Sequence, residues 1–157
     1  MRKANREIKN QDEIVSILEK CDVCRLGLAR DGIPYIVPMS FGYEWAGGRL
    51  ILYFHCAKEG KKLDIMRENA NACFEMDCSH ELKPGEAACD YSMNFESIIG
   101  SGRIAELAGR EERIHGLTCL MKKYSAAPKF VFSESALALT AVLRLEVSEY
   151  AGKRLMK

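Results

Sequence analysis

The sequence predicts an α+β fold built on an antiparallel barrel or sandwich. Short β-like runs outnumber helical patterns, and the first three runs are joined by turns too tight for crossover helices. Helices are too sparse among the strands for a doubly wound parallel sheet, and there is no GxGxxG or Walker A motif. The 157 residues suit one domain. No repeat, charge block or Pro/Ser/Gly-rich linker divides them, so residues 1–157 read as a single unit.

The first helix is expected from near Asp12 to near Cys21. Ile14, Ile17 and Leu18 fall at helical spacing, and Asp12 and Glu13 suit its start. Val23 to Ala29 is the first strand, closed by an Asp31-Gly32 turn. Ile33 to Glu44 is the second, and Pro34 and Pro38 push it toward an edge, a bulge or an interruption. After a turn at Ala46-Gly47-Gly48, Leu50 to His55 forms a third strand, apolar enough for burial on both faces. Lys61 to Asn69 is helical. Asn71 to Asp77 is the fourth strand, Glu81 to Cys89 a loop, and Met93 to Leu107 a fifth strand broken by Gly100 and Gly102. Glu111 to Tyr124 is a helix with Ile114, Leu117, Leu120 and Met121 along one face. Ser125 to Ser133 is irregular, Leu137 to Val147 the sixth strand, and Lys153 to Met156 a short final piece.

Lys+Arg total 23 and Asp+Glu 22, a net charge of +1, so no basic excess points to a nucleic acid. The amino terminus, MRKANREIKNQDEI, has no signal-peptide core, and no apolar run approaches the ~18 to 20 residues of a membrane span. A cytoplasmic protein is expected, without a membrane partner. Seven cysteines fit a reducing compartment and small buried side chains better than a disulfide framework.

The chemistry concentrates in Leu52 to Met66, LYFHCAKEGKKLDIM. A strand ends in His55 and runs through a short loop into a helix start bearing Lys61 and Lys62. Two lysines in a first turn oppose the helix dipole, which prefers anions there. A bound phosphate would remove the conflict; the alternative is that both point into water. Arg25 sits between apolar residues of a short strand. It is either on the exposed face or turned inward toward an anion such as that phosphate. Pro38-Met39-Ser40-Phe41 is either a plain edge strand or an irregular backbone whose unpaired groups meet a flat heteroaromatic ring.

Together these segments resemble the FMN-binding split-barrel proteins related to pyridoxamine 5'-phosphate oxidase, and most closely the branch containing the 5-nitroimidazole resistance (Nim) proteins. The resemblance spans about Arg6 to Lys153. It is carried by Asp22 to Leu28 (DVCRLGL), Pro34 to Tyr43 (PYIVPMSFGY), Leu52 to His55, Glu59 to Asp64 (EGKKLD), and Tyr91 with Asn94 to Gly100 and Gly102. It implies a six-stranded antiparallel split β-barrel with flanking helices, a homodimer, and one FMN per subunit at the dimer interface. It further implies that Gly60, Lys61 and Lys62 hold the phosphate, helped by Arg25. The backbone of Pro38, Met39, Ser40 and Phe41 would edge the isoalloxazine, Tyr53, Phe54 and His55 would line the cleft, and Ser97 would contribute. Pyridoxamine 5'-phosphate oxidases proper end in an arginine-rich substrate segment. This chain ends in Gly152 to Lys157 (GKRLMK), so that activity is not expected.

The expected function is therefore an FMN-dependent reduction of a small, electron-poor substrate, with a nitroimidazole-type nitro group as one candidate. His55 is the candidate catalytic residue, because imidazole exchanges protons near neutrality; its alternative is a cavity-lining role. A different class of function is a flavin- or haem-binding module without turnover. Cys21-x-x-Cys24 with Cys73, Cys78 and His80 has partial zinc-ligand character. Cys24 lies inside a strand pattern and Cys73 to Cys78 is too widely spaced for a knuckle, so no metal centre is expected. His115 reads as a surface or packing residue.

Overall fold

The computed structural model describes residues 4–156; residues 1–3 and 157 lie outside it. After a helical turn at Ala4–Arg6 the order is β1 (Glu7–Ile8), α1 (Gln11–Lys20), β2 (Cys24–Arg30), β3 (Ile33–Met39), β4 (Gly42–Ala46), β5 (Arg49–Ala57) and α2 (Lys61–Glu68). It continues with β6 (Asn71–Lys83), a helical turn at Ala88–Asp90, β7 (Ser92–Glu106), α3 (Arg110–Tyr124), α4 (Glu134–Leu139) and β8 (Thr140–Leu155).

All strand pairs are antiparallel, in the order β3-β2-β6-β7-β8-β5-β4, with β1 pairing β8. The two ends of this order, β3 and β4, are separated in the chain by only Ser40 and Phe41. The three steps from Met39 to Gly42 span at most ~11 Å, so the sheet must curl until these strand ends come together. That is the split barrel of the α+β class. The hairpins β2–β3 and β4–β5 turn at Asp31-Gly32 and Gly47-Gly48, all four with positive φ, as two-residue turns of this twist require.

The sheet has eight strands where six were expected. The run Ile33 to Glu44 breaks after Met39, because the Phe41 N–H leaves the ladder to donate to the Tyr124 hydroxyl (3.0 Å). Beyond the break Gly42 abuts α3 so closely that a Cβ would overlap the Leu120 backbone. The first three expected strands are thus two hairpins at opposite ends of the sheet, not a continuous meander. β1 is the other addition.

β7 is continuous through Gly100 and Gly102. These glycines admit neighbours, Gly100 the Phe74 ring and Gly102 the Glu146 carbonyl, and β8 absorbs the irregularity as a bulge opposite Ser101 and Gly102. The start of the sixth expected strand is helical instead. Ser133 caps α4 by accepting the Ala136 N–H, and only Leu137 of that helix is buried. β8 then runs on through the expected tail piece. β6 likewise extends to Lys83, into the expected loop.

Leu26, Leu28, Phe41, Leu52, Phe54, Phe74, Met76, Ile98, Leu143 and Leu145 fill the barrel, which α1 closes with Ile14, Ile17 and Leu18 and α2 with Leu63, Ile65 and Met66. A smaller cluster of Leu117, Leu137 and Val142 seats α3 and α4 on the outside of the β5–β8 sheet. At the other side of the barrel wall Glu96 is fully buried. It accepts from Lys20 (2.6 Å), Ser79 (2.8 Å) and Arg154 (2.6 Å), and Arg154 also reaches Glu13 (2.5 Å). Burial alone would push this carboxyl up; the three hydrogen bonds outweigh it and hold it at about 2. All seven cysteines are free thiols. Among the described residues no helix is long and apolar enough to cross a membrane.

Candidate functional site

β5 ends at Ala57, three loop residues follow, and α2 begins at Lys61. Gly60 occupies the N-cap with φ 132°, a conformation L side chains rarely adopt, and space around it is open. No side chain caps this helix. Asn10 caps α1 and Ser133 caps α4, while α3, starting after Gly109, is also without a side-chain cap; what sets α2 apart is two lysines in a first turn that holds one acid, Asp64. Uncapped N–H groups, the positive end of the dipole and two lysines therefore converge on one helix end. Lys61 and Lys62 have no carboxylate partner among the described residues. The Lys61 ammonium lies over the Tyr35 ring, 4.9 Å from its centroid. It borders a groove of about 220 Å³ lined also by Arg30, Asp31, Pro34 and Ile65. This arrangement suits a phosphate monoester.

The alternation of β5 sorts the other expected residues. Leu52, Phe54 and Cys56 face the barrel, and Phe54 is fully buried in its core. Its side chain thus lines no cleft. Tyr53 faces outward but is 3% exposed, packed under α3 against Gly116 and edge-on to His115 (centroids 5.7 Å apart). His55, on the same outward side and paired with Val142, is exposed. His55 is the member of this trio whose side chain reaches solvent.

At the β3–β4 break Pro38 and Ser40 are exposed, while Met39 and Phe41 turn into the core. The Phe41 N–H is already committed to Tyr124, so it is not available to edge a ring. Pro38 and Ser40 present the accessible backbone here.

Arg25 resolves to the exposed alternative. Its guanidinium hydrogen-bonds Glu75 (2.9 Å) and Asp77 on β6, and these bonds push its already high pKa further up. Arg25 lies three residues along β2 from Leu28, the partner of the Tyr35 ring that Lys61 covers. That is about 10 Å of strand. Ser97 pairs with Asp77 and Lys153 at the same far end. Within one protomer neither joins the lysines. The acids that claim Arg25 are fifty residues away in sequence, and no local pattern announces them.

The cysteine-rich set is assembled only in part: the Cys21 thiol meets Cys78, Cys21 and Cys24 are buried, and His80 is turned to Asp77 (2.8 Å). Among the described residues the trio of ligand-type side chains that does converge is Glu44, His115 and Cys119. Sequence reasoning missed it; the i,i+4 spacing of His115 and Cys119 on one helix was the available signal.

The pyridoxamine 5'-phosphate oxidase family profile matches residues 10–154. A solved structure of a Bacteroides thetaiotaomicron protein whose proposed role is 5-nitroimidazole antibiotic resistance is 32% identical. The likeness covers 94% of this chain and 86% of that one, with a TM-score of 0.81. The flavocytochrome Anf3 of Azotobacter vinelandii is 19% identical, covering 100% of this chain and 72% of that one, with a TM-score of 0.82. A FAD and heme binding protein of Mycobacterium smegmatis is 18% identical, covering 97% and 74%, with a TM-score of 0.81. These last two likenesses concern the fold.

Proposed function

The chain belongs to the pyridoxamine 5'-phosphate oxidase family, and from that premise we propose that it is an FMN-dependent oxidoreductase that reduces a small, electron-poor substrate. The observation that carries this reading is the uncapped α2 N-terminus with two lysines that no carboxylate engages among the described residues, a cradle for one phosphate group. Gly60, Lys61 and Lys62 hold the phosphate, and Pro38 and Ser40 offer backbone to the ring system. The bound flavin supplies the electrons.

His55 stands exposed on the strand that leads into the phosphate loop, where it hydrogen-bonds the substrate and donates a proton to the atom being reduced. A nitro group of the nitroimidazole type is the favoured substrate, in keeping with the role proposed for the 32% identical Bacteroides protein.

A second copy of the chain completes the cleft. The 220 Å³ groove is below the roughly 300 Å³ at which small-molecule pockets begin, so one protomer supplies only part of a site. The outward face of β3–β2–β6–β7 exposes Ile36 (68%) and Ile99 (58%), a surface suited to pairing. Pairing through this face also offers a route for Ser97 of one protomer to reach the cleft of its partner.

The test is single-turnover reoxidation of the reduced holoprotein by a 5-nitroimidazole. Flavin oxidation matched by loss of the nitro absorption, slowed at least tenfold in His55→Ala with flavin still bound, supports the assignment. Stoichiometric flavin that passes no electrons to nitro compounds favours a binding module. The likeness to flavin- and haem-binding structures gives that second reading its footing.

A further inference from the structure

We propose that Glu44, His115 and Cys119 form a Zn²⁺ site on the outer face of the barrel, between β4 and α3. His115 and Cys119 are one helical turn apart on α3, and Glu44 projects toward them from β4. His115 Nε2 lies 2.8 Å from Glu44 Oε2, Cys119 Sγ 3.6 Å from His115 Nε2, and Cys119 Sγ 4.0 Å from Glu44 Oε2. Tetrahedral zinc with bonds of 2.0 to 2.3 Å sets such atoms roughly 3.3 to 3.6 Å apart. Shifts of about half an ångström would therefore suffice, within the reach of side-chain rotation.

The surroundings orient the ligands as metal sites do. The second oxygen of Glu44 accepts the Tyr53 hydroxyl (2.6 Å), which leaves Oε2 aimed at His115 and Cys119. Tyr53 also meets the His115 ring edge-on and limits its rotation. Burial raises the Glu44 carboxyl, but the hydrogen bonds from Tyr53 and His115 outweigh that, and the group is held below its ordinary value as an anion. Burial first and Glu44 second push the Cys119 thiol up to about 11, so without a cation the thiol keeps its proton. A divalent ion reverses that balance. On binding, the thiol proton passes to solvent, the hydrogen that His115 Nε2 gives to Glu44 moves through solvent to Nδ1 so that Nε2 is free for the metal, and one thiolate and one carboxylate neutralise the ion.

Thiolate, imidazole and carboxylate together favour zinc over calcium or magnesium. Three protein ligands leave a fourth position. His115 and Tyr53 border a groove of about 430 Å³ that also contains Arg144, Glu111 and Glu112. That position opens to the groove and takes water. None of these residues belongs to the proposed phosphate cradle, so the site stands whether or not flavin binds.

The experiment adds Zn²⁺ alone to metal-stripped full-length protein and measures affinity by competition with a chromophoric chelator. It is repeated with Co²⁺ to read thiolate-to-metal charge transfer. One Zn²⁺ per chain is expected, weakened about a hundredfold or more in His115→Ala and in Cys119→Ser, since even outer-shell changes cost up to that much. His115 is exposed, so its replacement leaves the core intact. The charge-transfer band should vanish in Cys119→Ser and persist in Cys89→Ser, a change at an exposed cysteine outside the trio. Absence of equimolar binding overturns the proposal. So does binding that survives both His115→Ala and Cys119→Ser, because other cysteines would then hold the metal.

Discussion

Replacing Glu96 by Gln isolates the electrostatic clamp that ties α1 and the end of β8 to β7. The native carboxyl sits at about 2, against 4.5 when free, so its ionised form is favoured by folding. A depressed folded pKa contributes stability above the unfolded value and loses it as pH falls from 4.5 toward 2. The full contribution near neutrality is about 3.5 kcal/mol, from the fall from 4.5 to about 2 at about 1.4 kcal/mol per pKa unit. At pH 3 most unfolded chains have taken up the proton and most folded chains have not, so about 2 kcal/mol of it is gone. Lys20 is 45% exposed, and solvent screens part of this, leaving about 1 to 2 kcal/mol. Urea unfolding followed by circular dichroism at pH 6 and pH 3 reads the effect. Wild type should exceed Glu96→Gln in stability at pH 6, and the gap should narrow by about 1 to 2 kcal/mol at pH 3. A gap that is the same at both pH values, or wider at pH 3, refutes the reasoning.

Three other outcomes follow from the same geometry. Lys61→Ala and Lys62→Ala should each weaken FMN about 10- to 100-fold in a fluorescence titration, the scale of a hydrogen bond to a charged group; unchanged affinity in both would move the phosphate elsewhere. Arg25→Ala should change FMN affinity less than about threefold, because its guanidinium already serves Glu75 and Asp77, and a loss on the scale of the lysines would return Arg25 to the cradle. Gly42→Ala should destabilise by about 1 to 3 kcal/mol, since its Cβ would overlap the Leu120 backbone. That is a fall of ~2 to 12 °C in thermal midpoint for a chain of this size; an unchanged midpoint would mean that α3 is not seated on β4 as described.

The sequence was most legible where the cause is local. Ile14, Ile17 and Leu18 repeat at helical spacing and are buried, and Asp31-Gly32 adopts the positive φ of its turn. The lysines at the start of α2 stood out because they conflict with their own helix dipole. Features decided across the chain were hidden. The break at Ser40–Phe41 depends on Tyr124, and the fate of Arg25 on Glu75 and Asp77. Leu137 to Leu139 carried the apolar content of a strand, yet Ser133 captured them for a helix. The fully apolar stretch Leu50 to Phe54 concealed which residues face the barrel, so Phe54 read as cleft-lining beside His55 although they point in opposite directions. Glu44 meets His115 across seventy-one residues, a juxtaposition that only the packing of α3 on β4 creates.

The most direct test of the central claim is the visible absorption spectrum of the purified native protein, with mass identification of what heat releases. A flavin spectrum with FMN released, at one per chain, is the predicted result. A haem spectrum, or a colourless protein that also refuses added FMN, would contradict it.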